Sequence, residues 1–426
     1  MHYKACTCSL IFFQHHSEEH VRVCQVSGCS DNYRWTLTDA SPFFYERKIR
    51  ISKYSEPYVY IRVPERDKRE LSDIVSEYLA FSTEIYKGTL VDPKRVGSLQ
   101  DVAMYMFQKY LDGERFTLPK ATPAEGNWLH YAHRGGIQWA DKGFQGKTSK
   151  YDFTSFYPSI CHSDALFPIG KPEQKFLPSG SESELDLTLP AIYRAVILGS
   201  HPLLALRPID KTNQDFVYVT NLDLQNARLL GVSFKLAEHN DKWCNCMAYK
   251  KEECRRGSRI FGWYVDKFFA LKKAGSKSGK FMLNVLTGML VQKEKVHKSS
   301  TNGWALDLGS EINITSMSVQ QLTPDRISYF GANQQIFRRP DKARLGVFIT
   351  AYGRHRIIKF LLEHGMLDKL VQVHTDGFHL TEPLTDCPER PDCPELQRDT
   401  ELGGLKLEHE GVVHVHHVNK VEILEE

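Results

Sequence analysis

Two strand-like runs in this chain each break at a carboxylate. In KYDFTSFYPSI (Lys150–Ile160), Asp152 stands among Tyr, Phe and Ile. That strand is expected to stop at Tyr157-Pro158, because proline cannot donate to a ladder and biases the residue before it toward extended geometry. In VQVHTDGFHL (Val371–Leu380), Asp376 precedes Gly377 between two apolar half-strands. Asp-Gly flanked by such residues signals a hairpin with the acid at its tip. An acid at the end of an apolar strand either caps a following helix or holds a metal at the rim of the sheet. Taken alone, an Asp-Gly step is most often only a turn.

The remainder of the sequence narrows the choice. A chain of 426 residues, 41% hydrophobic and 25% charged, has the composition of a globular protein with two or three domains. A formal net charge of +3 is too mild to argue for nucleic acid. Its distribution is more telling: residues 250–298 carry thirteen Lys or Arg against four Asp or Glu. That block reads as a surface for an anionic ligand, against the plainer alternative of a solvated helix face. No apolar stretch approaches the roughly eighteen residues of a membrane span. The start, MHYKACTCSLIFFQHHSEEH, has neither the h-region nor the cleavage site of a signal peptide. The expectation is therefore an intracellular protein, of cytoplasm or nucleus, with no membrane partner. The ten cysteines are then reduced thiols or metal ligands rather than disulfides.

Along the chain, residues 1–125 read as a mixed unit, with a strand at EPYVYIRVP and helices at RELSDIVSEYLAF and SLQDVAMYMFQKYL. DGERFTLPKATPAEGN reads as a connector. Strand-like runs dominate residues 126–260, among them AIYRAVILGS and DFVYVTN. Residues 261–292 switch to helical spacing with a Gly/Ser break, predicting two helices and a short turn. Residues 293–345 form an intervening segment. Residues 346–426 then carry a helix at AYGRHRIIKFLLEHGML, the Asp376 strands and a terminal strand pair.

A third piece comes from the helical region. In KFMLNVLTG, Lys280, Asn284 and Gly288 recur every four residues and share one helix face. A cation and an amide aimed together suit a polyphosphate and a base or sugar. Two carboxylates on neighbouring strand ends, with a lysine-bearing helix, are what two-metal phosphoryl transfer requires. Magnesium takes one or two protein carboxylates plus substrate phosphates, and a backbone carbonyl such as that of Phe153 adds a ligand. Lys272 and Lys280 are placed to balance the phosphate charge.

Together and in order, DFTSFYPSI, KFMLNVLTG and VHTDGF resemble the three polymerase motifs of family B DNA polymerases, and most closely the protein-primed branch. HRGGIQW (His133–Trp139), WYVDKFFALKK, LGVFITAYGRHR and NKVEIL fall where that branch has its template motif, fingers helix, last palm helix and primer motif. The resemblance covers roughly residues 95–424. It implies an α+β right-hand polymerase with an antiparallel-sheet palm and helical fingers. It implies templated addition of dNMPs to a primer end or to a priming-protein hydroxyl. Asp152 and Asp376 would be the metal-binding catalytic pair, with Mg²⁺ as the two ions and Mn²⁺ as substitute. Tyr157 would be the steric gate against a 2′-hydroxyl. Lys272 and Lys280 would hold the triphosphate and Asn284 the nascent pair. Gly135 and Gly136 would approach the template, while Ser155, Thr375 and Lys420 would face the primer or a priming (terminal) protein. The implied partners are template and primer DNA, dNTPs and that priming protein. The spacing of 128 positions from Asp152 to Lys280 leaves room for a priming-protein insertion.

Four positions depart from the pattern. His374 replaces the first acid of the last motif, and Val285-Leu286-Thr287 replaces Ser-Leu-Tyr. His133 and Glu422 each replace a tyrosine, in the template and primer motifs. No exonuclease domain is recognised in residues 1–130, and six residues follow Lys420, so proofreading and most of a thumb are expected to be missing. The competing readings are a degenerate polymerase-like DNA-binding protein, a fragment of a larger polymerase, and a metal-dependent nuclease. The last leaves Tyr157 and Lys280 without a task. Cys6, Cys8, Cys24 and Cys29 offer donors for Zn²⁺, but the C-x-C spacing is tighter than a zinc knuckle and plain thiols are the favoured reading. Cys244, Cys246 and Cys254 read as ordinary thiols, and the histidines of HEGVVHVHH as facing solvent or DNA.

Overall fold

The computed structural model describes with their side chains residues 73, 76–93, 96, 98–114, 117–178, 180–204, 206, 216–238, 244–293, 336–384 and 399–424. Further elements between residues 4 and 75 and between 296 and 333 are described as backbone. Cys6, Cys8, Cys24 and Cys29 lie outside the described residues. Helices form over Leu71–Thr89 (α1), Pro93–Val96 (α2), Leu99–Gly113 (α3), Pro123–Ala132 (α4), Phe156–Cys161 (α5), Asn221–Leu229 (α6), Gly257–Lys273 (α7), Lys277–Leu290 (α8) and Ala343–Glu363 (α9). The chain divides into two compact units.

One unit comprises residues 1–115, 267–289 and 295–334. It contains an antiparallel six-stranded meander between Lys4 and Pro64, a three-stranded sheet between Val296 and Asn333, helices α1–α3, the end of α7 and most of α8. The Gly/Ser break predicted near 275 is a turn between α7 and α8. Ser276 Oγ accepts the Gly279 N–H at 3.2 Å, capping the first turn of α8. Glu84 on α1 accepts the Ser278 N–H at 3.0 Å, adding negative charge at the same helix N-terminus. Phe81 meets Phe281 edge-on at 5.2 Å. Lys280, Asn284 and Gly288 are all exposed on α8, the face that their spacing predicts.

The other unit comprises residues 116–266, 290–294 and 335–426. Its main sheet has six antiparallel strands, in the order Lys420–Leu424, Leu405–His417, Gln145–Phe153, Gly377–Leu380, Leu370–His374 and Gln138–Ala140. Helix α9 covers one face. Phe360 packs edge-on to Phe153 at 5.5 Å and near Phe378 at 5.7 Å, a dry layer behind the strands that carry the acids. A second, five-stranded sheet centres on Ala191–Leu198, backed by α6. It lies in sequence between Asp152 and Lys280.

Local signals went astray in two places. Tyr157-Pro158 does not break a strand: the strand ends at Phe153, and both residues lie in α5. Proline is admitted because the first turn of a helix needs no intrahelical N–H donors. The expected connector gives way to α4 at Pro123, where Thr122 Oγ1 accepts the Glu125 N–H at 3.2 Å. Glu125 is buried in a bidentate pair with Arg344 (Nη2–Oε2 2.7 Å) and accepts the Tyr249 hydroxyl at 2.9 Å. Tertiary pairing of that kind is invisible to helix-start statistics.

Candidate active site

Strand register brings the acids together. Gly377 is the direct partner of Asp152, and the Phe153 N–H donates to the Asp376 carbonyl at 3.0 Å. The Thr375 N–H donates to the Ile137 carbonyl at 2.8 Å, tying the hairpin tip to the His133–Ile137 loop. A Cβ built on Gly377 would stand 2.9 Å from Asp152 Oδ1, so only glycine leaves that carboxylate its place. Ser155 (φ 52°) and Thr375 (φ 65°) hold left-handed backbone beside the acids, each at a cost of ~1–3 kcal/mol that the surrounding ladder must offset.

Both acids are half-buried. Burial holds the Asp376 carboxyl above the usual carboxylate range; its own backbone hydrogen bond and His374 pull it back, and Glu408 pushes it up again. Glu408 was not foreseen from the sequence. It is the extra residue of a bulge between Leu407 and His409, and it pairs with Lys150 at 2.6 Å. The alternation of LKLEHEGVV gives no local signal for it, because the bulge arises from pairing with the neighbouring strand.

Tyr157 reaches the same rim from α5. A Cβ on Gly136 would lie 2.9 Å from the Tyr157 hydroxyl and 2.8 Å from Thr375 Cγ2. Burial pushes the Tyr157 phenol up to about 12, with Arg354 opposing and Asp376 adding to the rise. Gly353 on α9 makes room for the ring, since a Cβ there would lie 2.9 Å from Tyr157 Cε1.

Arg354, the next residue, organises the loop. Its guanidinium grips both Asp223 carboxylate oxygens (Nη2 at 2.8 and 3.1 Å) and donates to the carbonyls of Arg134 and Gly135, both at 2.9 Å. Asp223 closes a capping box with Thr220 at the start of α6. Burial opposes ionisation of Asp223, yet Arg354 and Arg134 hold its carboxyl below the usual range. Burial also keeps His133 neutral, lowered to about 4.

Residues 65–313, more than half of the chain, match the family described as DNA polymerase type B, organellar and viral. The chain belongs to that family. Among curated proteins none matches it. Its fold is that of Phi29 DNA polymerase. The complex of that enzyme with primer-template DNA and incoming nucleotide substrates aligns over 81% of this chain and 58% of its own, at 17% identity and a TM-score of 0.56. Its complex with single-stranded DNA aligns over 85% and 60%, at 18% identity and 0.56. The chain spans about three-fifths of the length of these relatives.

Within this type B polymerase chain, the residues expected to act divide between the two units. Asp152, Phe153, Ser155, Tyr157, Gly135, Gly136, Thr375 and Asp376 meet in one, around the end of the Gln145–Phe153 strand. Lys420 opens the last strand of the same sheet, opposite His417. Lys272, at the end of α7, and Lys280 and Asn284 on α8 belong to the other. Burial raises the thiols of Cys246 and Cys254 to about 12, which keeps both protonated.

Proposed function

We propose that the chain is a DNA-directed DNA polymerase that extends a primer 3′ end, or a priming-protein hydroxyl, on a DNA template. The observation that carries this is the pairing of Asp152 with Gly377, which sets Asp152 and Asp376 side by side beside Tyr157. Polymerases of this family use divalent metal ions. The residues fit such ions: the carboxylates of Asp152 and Asp376 and the Phe153 carbonyl are hard oxygen donors, suited to Mg²⁺ with Mn²⁺ as substitute. Bound there, the ions would supply activation of the attacking hydroxyl and neutralisation of charge on the phosphates.

The chain's own residues do the rest. Ser155, Thr375 and Lys420 orient the primer end, and Gly135 and Gly136 let the template backbone approach. Tyr157 stacks under the deoxyribose and leaves no space for a 2′-hydroxyl. Lys272 and Lys280 hold the triphosphate while Asn284 backs the new base pair. The primer hydroxyl attacks the α-phosphorus and pyrophosphate leaves. The sheet centred on Ala191–Leu198 occupies the insertion between the first two motifs and is the candidate seat for a priming protein.

Extension of a primed template by the full chain with dNTPs and Mg²⁺ tests the reading. Templated addition is expected, and its absence at excess enzyme with both Mg²⁺ and Mn²⁺ would overturn it. The gate has its own test. In Gly353→Ala the new methyl group displaces the Tyr157 ring, so selectivity for dNTPs over rNTPs should fall about tenfold, ~1.4 kcal/mol. Unchanged selectivity would remove Tyr157 from that role.

A further inference from the structure

The last strand pair of the sheet carries a side-chain cluster that the polymerase reading does not use. Val413 and Val415 are fully buried against Val371, so the residues alternating with them, His414 and His416, stand on the opposite face of the strand. His414 is the direct register partner of Glu422 on the neighbouring strand. The pairing then runs from Val415↔Val421 to His417↔Lys420, which makes His416 the extra residue of a bulge. The bulge turns His416 toward Glu422, with Nε2 and Oε2 2.8 Å apart. The His414 and His416 rings lie 4.2 Å apart between centroids. One donor atom from each of the three residues falls within 4.8 Å of the others.

We propose that His414, His416 and Glu422 bind a transition-metal ion of the zinc class. Two imidazoles and one carboxylate are the protein ligands of many zinc sites that keep a fourth position open. Nitrogen donors select against magnesium and calcium, so the site differs in chemistry from the all-oxygen rim at Asp152 and Asp376. Closing the triad onto an ion with bonds of about 2.0–2.2 Å needs side-chain adjustment only, because the strands fix all three Cα positions. A plain His416–Glu422 ion pair is the competing account. Such a pair is half-exposed and contributes at most ~1 kcal/mol, and it leaves His414 against His416 without a purpose. Lys420 is the cation nearest in sequence and works against the ion, while Glu422 supplies the compensating charge. His417 takes no part, since its Nδ1 accepts the Asn419 N–H at 3.1 Å within the turn. The proposal also accounts for Glu422 where the family pattern has tyrosine, and it does not depend on polymerase activity.

The test is metal binding by the full chain, with Zn²⁺ titrated against a chromophoric chelator and Co²⁺ as spectroscopic probe. Ions held by the N-terminal cysteines would be common to all variants, so the readout is the ion that a variant loses. His416→Ala should weaken one site by about 100-fold or more and Glu422→Gln by about tenfold, with loss of the corresponding Co²⁺ absorption. His417→Ala should match the wild type. If His416→Ala fails to fold, the shape-conserving Glu422→Gln carries the test. Equal stoichiometry and affinity in wild type and triad variants would overturn the site, as would an equal loss in His417→Ala.

Discussion

Asp376→Asn is expected to cut primer extension by at least about three orders of magnitude, ~4 kcal/mol at the transition state, and to leave the protein as stable as before or more so. Activity falls because the amide keeps the shape of the carboxylate but not its charge, and a hard cation is held by charge. Stability moves the other way. Burial raises the carboxyl of Asp376 in the folded chain above its unfolded value. The folded state therefore prefers the protonated form: this group's contribution to stability is fully present below the unfolded pKa and is lost as pH rises through the folded one. At neutral pH the ionised acid costs stability, and asparagine removes that cost. Mg²⁺ should accordingly raise the melting temperature of the wild type and not of the variant. Retention of more than about 1% of the extension rate, only ~2.7 kcal/mol of lost transition-state stabilisation, would exclude Asp376 as a ligand.

The second large effect is structural. Arg354→Met should destabilise the chain by about 3–5 kcal/mol, because it removes the guanidinium that grips both oxygens of the buried Asp223 carboxylate. Asp223 is 1% and Arg354 6% exposed, so water cannot take over the lost hydrogen bonds. Arg354→Lys should not restore them, since a point charge cannot span two carboxylate oxygens and two carbonyls as the guanidinium does. Replacing both partners, Arg354→Met with Asp223→Leu, should recover part of the loss. Urea unfolding of the three variants measures this. A single variant within about 1 kcal/mol of wild type, the range of an exposed pair, would show that the pair is not what holds the His133–Ile137 loop.

How much could be read beforehand depended on range. Asp152 and Asp376 stood out because an acid among strand formers violates a local rule, and the α7–α8 turn because Gly275 and Ser276 interrupt a long helical period. The hairpin at Asp376 followed from the same kind of signal. Arg354 and Asp223 were not legible: they are 131 residues apart, and nothing near either one announces the other. Glu408 needed a bulge, which depends on the partner strand. The end of the Asp152 strand was misplaced because proline's bias on its neighbour was weighed without the helix that receives them both. Gly353 read as one more helical residue until the Tyr157 ring appeared beside it.

The hydrogen bond from the Phe153 N–H to the Asp376 carbonyl has a wider meaning. It makes the spacing of the two acids' backbones a property of the main-chain ladder. Neighbouring letters of the motif are thereby released. A histidine can stand at 374 without moving the backbone of either acid, because its side chain does not set that spacing. Substitutions at flanking positions should then be tolerated more readily than those at Asp152, Gly377 and Asp376, where backbone and charge coincide.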